Sequence, residues 1–138
     1  MADLTTRVLG HTGATVTSLG FGAMELRGGA RGRTISDAEV GKLLNQVLDS
    51  GITFIDTSID YGISEERIGQ HISHRRNEYF LASKCGCQFD WQPKVGEDRG
   101  GPHIYTKDNI VAGINQSLTR LKTDHLDLVQ IHATPSKA

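Results

Sequence analysis

The sequence predicts an α/β fold in which parallel strands alternate with helices. Three observations carry this. Short apolar runs rich in β-branched and aromatic residues, such as Ile52-Thr53-Phe54-Ile55 and Tyr79-Phe80-Leu81-Ala82, have the length and composition of buried strands. Between them lie longer stretches with apolar residues at helical spacing, of which Val40, Leu43, Leu44, Val47 and Leu48 are the clearest. Each strand-like run then gives way to polar residues at its carboxyl end, where α/β proteins place their chemistry.

The elements follow in order. Arg7-Val8-Leu9 and Thr15-Val16-Thr17 flank the turn Gly10-His11-Thr12-Gly13 and predict a small hairpin. Leu19-Gly20-Phe21-Gly22 is the next short apolar run, followed by a glycine- and arginine-rich connection, Arg27–Arg33. No Gly-Lys-Ser/Thr follows that connection, so it reads as an exposed loop rather than a phosphate cradle. Ser36 and Glu39 form a capping box for the first helix, with Ile35 and Val40 as its hydrophobic staple. Gly51 stops that helix. The strand Ile52–Asp56 comes at once, then a loop carrying Tyr61 and a shorter helix capped by Ser64 and running to about His74. Its acidic start, Glu65-Glu66, and basic end, Arg75-Arg76, suit the helix dipole.

Tyr79–Lys84 is the next strand, and Cys85 to His103 a long loop holding Trp91. A third helix begins near Thr106, with Ile110, Val111, Ile114, Leu118 and Leu121 on one face. Leu126–Ile131 is the last strand and ends in His132. Right-handed crossovers make these strands parallel neighbours with helices packed outside them.

Composition narrows the partners. The 138 residues make one domain, 1–138, of globular character, 37% hydrophobic and 22% charged with a formal net charge of −1. That balance offers no electrostatic reason to expect nucleic acid or a membrane surface. The start lacks the apolar core of a signal peptide, and no run is long enough to span a bilayer. With only two cysteines, Cys85 and Cys87, a reducing cytoplasm is the expected compartment.

Asp56, Lys84 and His132 each stand just past the apolar part of a different strand. In a parallel sheet they share one end, and Tyr61 can join them from the loop above. Singly, each is more often a turn former or a solvated side chain. Their coincidence is what points to function. A free tyrosine is a poor acid, with a pKa of about 10. A nearby ammonium stabilises the phenolate, and a carboxylate beside the lysine keeps it charged and oriented. A neutral imidazole can hold a carbonyl oxygen against the phenol. Such a group protonates a carbonyl oxygen as hydride arrives at carbon.

The same residues resemble a known family. GITFIDTSIDYGISEERIG is similar to the early signature of the aldo-keto reductases, LASKCG to the strand that delivers their catalytic lysine, and RLKTDHLDLVQIH to their second signature. LGFGAM, Leu19–Met24, looks like their first barrel strand. The resemblance covers essentially the whole chain. It implies a (β/α)8 TIM-barrel fold, with the N-terminal hairpin and four parallel strands supplying roughly the first half. It implies reduction of aldehydes or ketones to alcohols with NADPH, or sometimes NADH. By position Tyr61 is the implied acid, Lys84 and Asp56 its tuning pair, and His132 the orienter of the carbonyl. Gly22, Ala23 and Met24, with Asp56, fall where the family lines the nicotinamide end of the cofactor site. Trp91 is a candidate wall of the substrate pocket, with a hydrophobic loop anchor as the alternative.

A whole barrel needs about 250 residues. Most cofactor contacts are implied to lie in the other half, so this chain alone is expected to bind cofactor weakly or not at all. A half-barrel leaves open parallel edges and an uncovered inner face. A second copy or the remainder of a longer reductase is expected to cover them. The alternative is a catalytically silent half-barrel or interaction module. Cys85-Gly86-Cys87, with some of the six histidines, is the one hint of metal. A C-x-C alone falls short of the paired spacings of metal sites, and none is expected.

Overall fold

The computed structural model describes residues 4–28, 34–91 and 100–133. The Gly/Arg-rich connection at 29–33 and positions 92–99 of the long loop lie outside them. Strands β1 (Thr6–Val8) and β2 (Thr15–Thr17) form the antiparallel hairpin. Strands β3 (Phe21–Gly22), β4 (Phe54–Asp56), β5 (Phe80–Cys85) and β6 (Leu128–Ile131) form one four-stranded parallel sheet in chain order. Between them run α1 (Asp37–Asp49), α2 (Ser64–Ile72) and α3 (Lys107–Leu121). This is half of a (β/α)8 barrel.

Helix α1 follows its local signals. Ser36 Oγ accepts from the Glu39 amide, and the Glu39 carboxylate accepts from the Ser36 amide at 2.9 Å. Gly51 takes a positive φ of +87° just past the end. Val40 and Leu44 are fully buried, and join Ile55, Ile68, Ile72, Leu81 and Leu121 in the core between helices and sheet.

Two helix expectations change. Ser64 is the first residue of α2 and not its cap, because its hydroxyl is used elsewhere: Oγ donates to the Ala23 carbonyl at 2.8 Å and lies 3.1 Å from Thr57 Oγ1. In α3 the buried line is Asn109, Gly113, Ser117 and Leu121, whereas Val111 is exposed. Small residues let α2 and α3 approach closely. A Cβ on Gly69 would overlap the Arg120 carbonyl oxygen.

Charged residues on the outside of the sheet are tied into this layer. Ser83 points outward from β5 and donates to Glu65 Oε1 at 2.8 Å, and the Arg120 guanidinium is 3.6 Å from Oε2. Burial pushes the Glu65 carboxyl up, opposed by Ser117, Ser83 and Arg120. Arg75 and Arg76, expected as dipole partners, lie in a 3-10 helix after α2 and make ion pairs instead: Arg75 with Asp49 and Glu78, Arg76 with Asp127 at 2.6 Å. Asp127 in turn accepts from the Leu81 amide, so this pair sets where β6 starts beside β5.

Gly69→Ala forces the α2–α3 contact apart and should destabilise the fold by about 2–3 kcal/mol. Urea unfolding monitored by circular dichroism measures it. A loss under about 0.5 kcal/mol, the range of ordinary surface substitutions, contradicts the close-packed contact.

Candidate active site

Side chains alternate across a sheet. Ile55, Leu81 and Ser83 face the helices and are buried there, which turns Phe54, Asp56, Phe80, Ala82 and Lys84 to the opposite, inner face. Register then decides who meets. Asp56 pairs with Gly22 on one side and Ala82 on the other, and Lys84 pairs with Gln130.

Lys84 Nζ donates to Asp56 Oδ2 at 2.6 Å and to the Thr57 carbonyl at 2.9 Å. Gln130 Nε2 donates to the other carboxylate oxygen, Oδ1, at 3.0 Å. That bond crosses β5 on the diagonal, with Ala82 level with Asp56 and Lys84 level with Gln130. Gln130 was not anticipated as part of the site. Its signal is positional: an amide inside the apolar run Leu128–Ile131, two residues before His132 and so on the same face.

Tyr61 stands on the loop after β4, with its ring centroid 5.0 Å from Lys84 Nζ. The loop is held on both sides. Ile63 donates its amide to the Arg27 carbonyl at 3.0 Å, and the Ile59 carbonyl accepts from Arg120 at 3.1 Å. Gly62, at φ +51°, lies so close to the Arg27 carbonyl that a side chain would not fit.

His132 meets the Tyr61 ring edge-on, with centroids 5.8 Å apart. Its amide donates to the Cys85 carbonyl at 2.9 Å and its carbonyl accepts from Tyr105 Oη at 2.8 Å. Nδ1 is 3.2 Å from each of Asp60 Oδ1, Ser58 Oγ and Cys87 Sγ. Ser58 donates to Asp60 at 2.6 Å. Burial lowers the His132 pKa below that of a free imidazole, helped by Lys84 and His103 and opposed by Asp60 and Asp56. Burial, with Asp60 beside it, pushes the Cys87 thiol up to about 12, so it keeps its proton at neutral pH. Nδ1 therefore has partners for both neutral tautomers: Asp60 accepts from Nδ1–H, and the Cys87 thiol donates to a bare Nδ1.

The four expected residues, Asp56, Tyr61, Lys84 and His132, thus come together at the carboxyl end of the sheet. The others divide. Gly22 borders a cavity of about 450 Å³ shared with Gly20, Phe21, Phe54, Asp56, Leu128 and Gln130. Nothing stands within 4 Å of where its Cβ would be, and Met24 is 42% exposed. Ala23 is fully buried in the core. Trp91 lies with its indole against Gly101, where a Cβ would come within 2.9 Å of the ring.

Comparison with known proteins agrees with this architecture. The profile described as "Aldo/keto reductase family" matches residues 18–137, and the chain belongs to that family. It is 32% identical over 137 residues to an L-galactose dehydrogenase of Arabidopsis thaliana, covering 96% of this chain and 39% of that protein. A 6-dehydroglucose reductase of Novosphingobium aromaticivorans is 34% identical over 137 residues, with 91% and 40% covered. The holo form of an aldo-keto reductase from Bacillus halodurans superposes with a TM-score of 0.78 at 30% identity, covering 96% of this chain and 41% of that one. The chain therefore spans about two fifths of the length of these relatives. No helix among the described residues is long and apolar enough to cross a membrane.

The His132 shift has a consequence for stability. Its folded pKa lies below the unfolded value of about 6.5, so the unfolded chain takes up the proton first as pH falls. The neutral imidazole's contribution is fully present above about pH 6.5 and is lost as pH falls from there through the folded pKa. Denaturation midpoints between pH 7.5 and 5 should fall less steeply for His132→Asn than for the unaltered protein. Parallel slopes contradict the burial of a neutral imidazole.

Proposed function

We propose that these residues are the proton-donating half of an NAD(P)H-dependent reductase that converts aldehydes or ketones to alcohols. The observation that carries the reading is the position of Lys84. Its ammonium is bonded to Asp56 at 2.6 Å and stands 5.0 Å from the centre of the Tyr61 ring, while His132 meets that ring from another side. Tyr61 gives its phenolic proton to the carbonyl oxygen. Lys84, kept charged and aimed by Asp56 and the Thr57 carbonyl, stabilises the phenolate left behind. With the Cys87 thiol donating to Nδ1, His132 keeps its proton on Nε2 and can hold the same oxygen in place. Gln130 holds the second oxygen of Asp56, which leaves the carboxylate no freedom to rotate from the lysine.

NADPH, or NADH, would supply the hydride when bound. The open side of Gly22, the exposed Met24 and the cavity beside Asp56 suit a flat ring, and the buried Ala23 contributes backbone only. On this reading the phosphate contacts belong to the other half of the barrel, and this chain alone holds cofactor weakly or not at all. Trp91, packed on Gly101, serves as a loop anchor that a substrate pocket can use as a wall. The substrate is a small carbonyl compound, and the names of the relatives make sugars the first class to try.

A second reading has its own support. Val129 and Ile131, on the outer face of the edge strand β6, are 38% and 61% exposed. A parallel sheet is normally covered on both faces. The surface therefore belongs under the rest of a barrel or a second copy, and an uncovered half-barrel is catalytically silent. Native mass measurement separates these. A dispersed monomer across micromolar concentrations rules out self-pairing.

Tyr61→Phe in the intact reductase should lower kcat by roughly 10²-fold or more while leaving NADPH affinity within about twofold. Steady-state kinetics with fluorescence titration of the cofactor reads both. Unchanged turnover rejects Tyr61 as the acid.

A further inference from the structure

We propose that Cys87, His103 and His132 form a binding site for a soft divalent cation, zinc above all, built beside the proton-donating group. One donor atom from each of the three lies within 4.8 Å of the others. Cys87 Sγ and His132 Nδ1 are 3.2 Å apart, and the His103 and His132 rings meet edge-on with centroids 5.6 Å apart. In a tetrahedral zinc centre with bonds of about 2.3 Å to sulfur and 2.0 Å to nitrogen, the sulfur–nitrogen edge is about 3.5 Å. The pair already stands close to that edge. Thiolate and imidazole are both donors that zinc takes, and its open sites use three protein ligands with the fourth position free.

The three ligands are braced separately. Cys87 and His103 face one another in an antiparallel bridge, and Ile104 donates its amide to the Gly86 carbonyl at 2.6 Å. The buried Asn109 reaches from α3 to donate to the Cys87 carbonyl at 3.0 Å and the Ile104 carbonyl at 2.8 Å. Tyr105 stacks on His103 and binds the His132 carbonyl. Gly86, at φ +98°, lies under the Tyr105 ring with no room for a side chain. Cys85 ends β5 opposite Ile131, before that turn, and takes no part. Cys87 is buried, His132 half-buried and His103 exposed, so the site has a closed floor and an open entrance. Asp60, 3.2 Å from His132 Nδ1, competes with the cation for that nitrogen.

On binding, the Cys87 thiol gives its proton to solvent and the cation takes the Nδ1 lone pair of His132. The remaining proton of that neutral ring is then on Nε2, and the hydrogen bonds of Nδ1 to Asp60 and Ser58 are given up. A bound cation therefore locks the tautomer that His132 otherwise chooses between Asp60 and Cys87. The inference rests on these contacts and stands whether or not the reductase reading does.

Cobalt(II) titration of the purified, metal-stripped protein tests it without an activity assay. One equivalent should bind with the near-ultraviolet thiolate-to-cobalt absorption and the strong visible bands of a tetrahedral centre, and zinc should displace it. Cys87→Ser should abolish the thiolate absorption, Cys85→Ser should leave it, and His103→Ala should weaken binding at least tenfold. His103 is exposed, so that variant remains informative if Cys87→Ser folds poorly. No stoichiometric uptake at micromolar cobalt, absorption lost with Cys85→Ser but kept with Cys87→Ser, or unchanged affinity in His103→Ala each overturns the proposal.

Discussion

The register between β4 and β5 governs where every charged group of the site can stand. Asp56 lies opposite Ala82, so Lys84 is the next inward residue along β5 and its side chain must lie back over the carboxylate. An ammonium withdrawn from water costs several kcal/mol unless it is paired and bonded. Here it has both a carboxylate and a carbonyl. A one-residue slip would turn Lys84 into the helix layer and Ser83 into the site. Ala82 matters as much as the charges. A larger side chain there would separate Asp56 from Gln130, and the carboxylate would lose its second anchor.

The outer layer holds that register from the other side. Ser83 and Lys84 are neighbours facing opposite ways, and both end on a carboxylate, Glu65 outside and Asp56 inside. Arg120 links the layers. It lies 3.1 Å from Glu66 and 3.6 Å from Glu65, and donates to the Ile59 carbonyl on the loop that carries Tyr61. Helix packing is thereby connected to the position of the phenol through one guanidinium. The Gly69 contact, which brings the end of α3 against α2, is what places that guanidinium within reach.

What was legible in the sequence was what is local. The capping box of α1 and the strand–helix alternation could be read directly, because the groups that satisfy them are within a few residues. Asp56, Lys84 and His132 were legible for a related reason: each ends an apolar run, and parallel topology alone brings such ends together. The misreadings came from distance in the chain. Ser64 has the chemistry of a cap but spends its hydroxyl on Ala23, 41 residues away. The apolar stripe of α3 included Val111, yet the buried line runs through Asn109, Gly113 and Ser117, since close helix contact selects small residues and the loop at Cys87 needs an amide. Ser58 and Asp60, the partners of His132, are more than 70 residues before it, and no spacing rule connects them.

Half a barrel has a particular chemical meaning in this arrangement. The four clustered residues all come from the ends of β4, β5 and β6 and the loop after β4: Asp56 and Lys84 are hydrogen-bonded to each other, and the Tyr61 ring meets Lys84 and His132. The surfaces left incomplete are different ones: the cavity between β3, β4 and β6, the stacked Phe54 and Phe80 on the inner face, and Val129 and Ile131 outside. A parallel sheet normally has such surfaces covered. The Asp56–Lys84 pair does not depend on those surfaces for its hydrogen bonds, because Asp56 has both oxygens occupied and Lys84 has two acceptors. Covering those surfaces would exclude water and lower the dielectric around the ammonium, which strengthens its attraction for nearby negative charge. Covering the inner face therefore does more than complete a fold. It strengthens an electrostatic arrangement that these strands have already built.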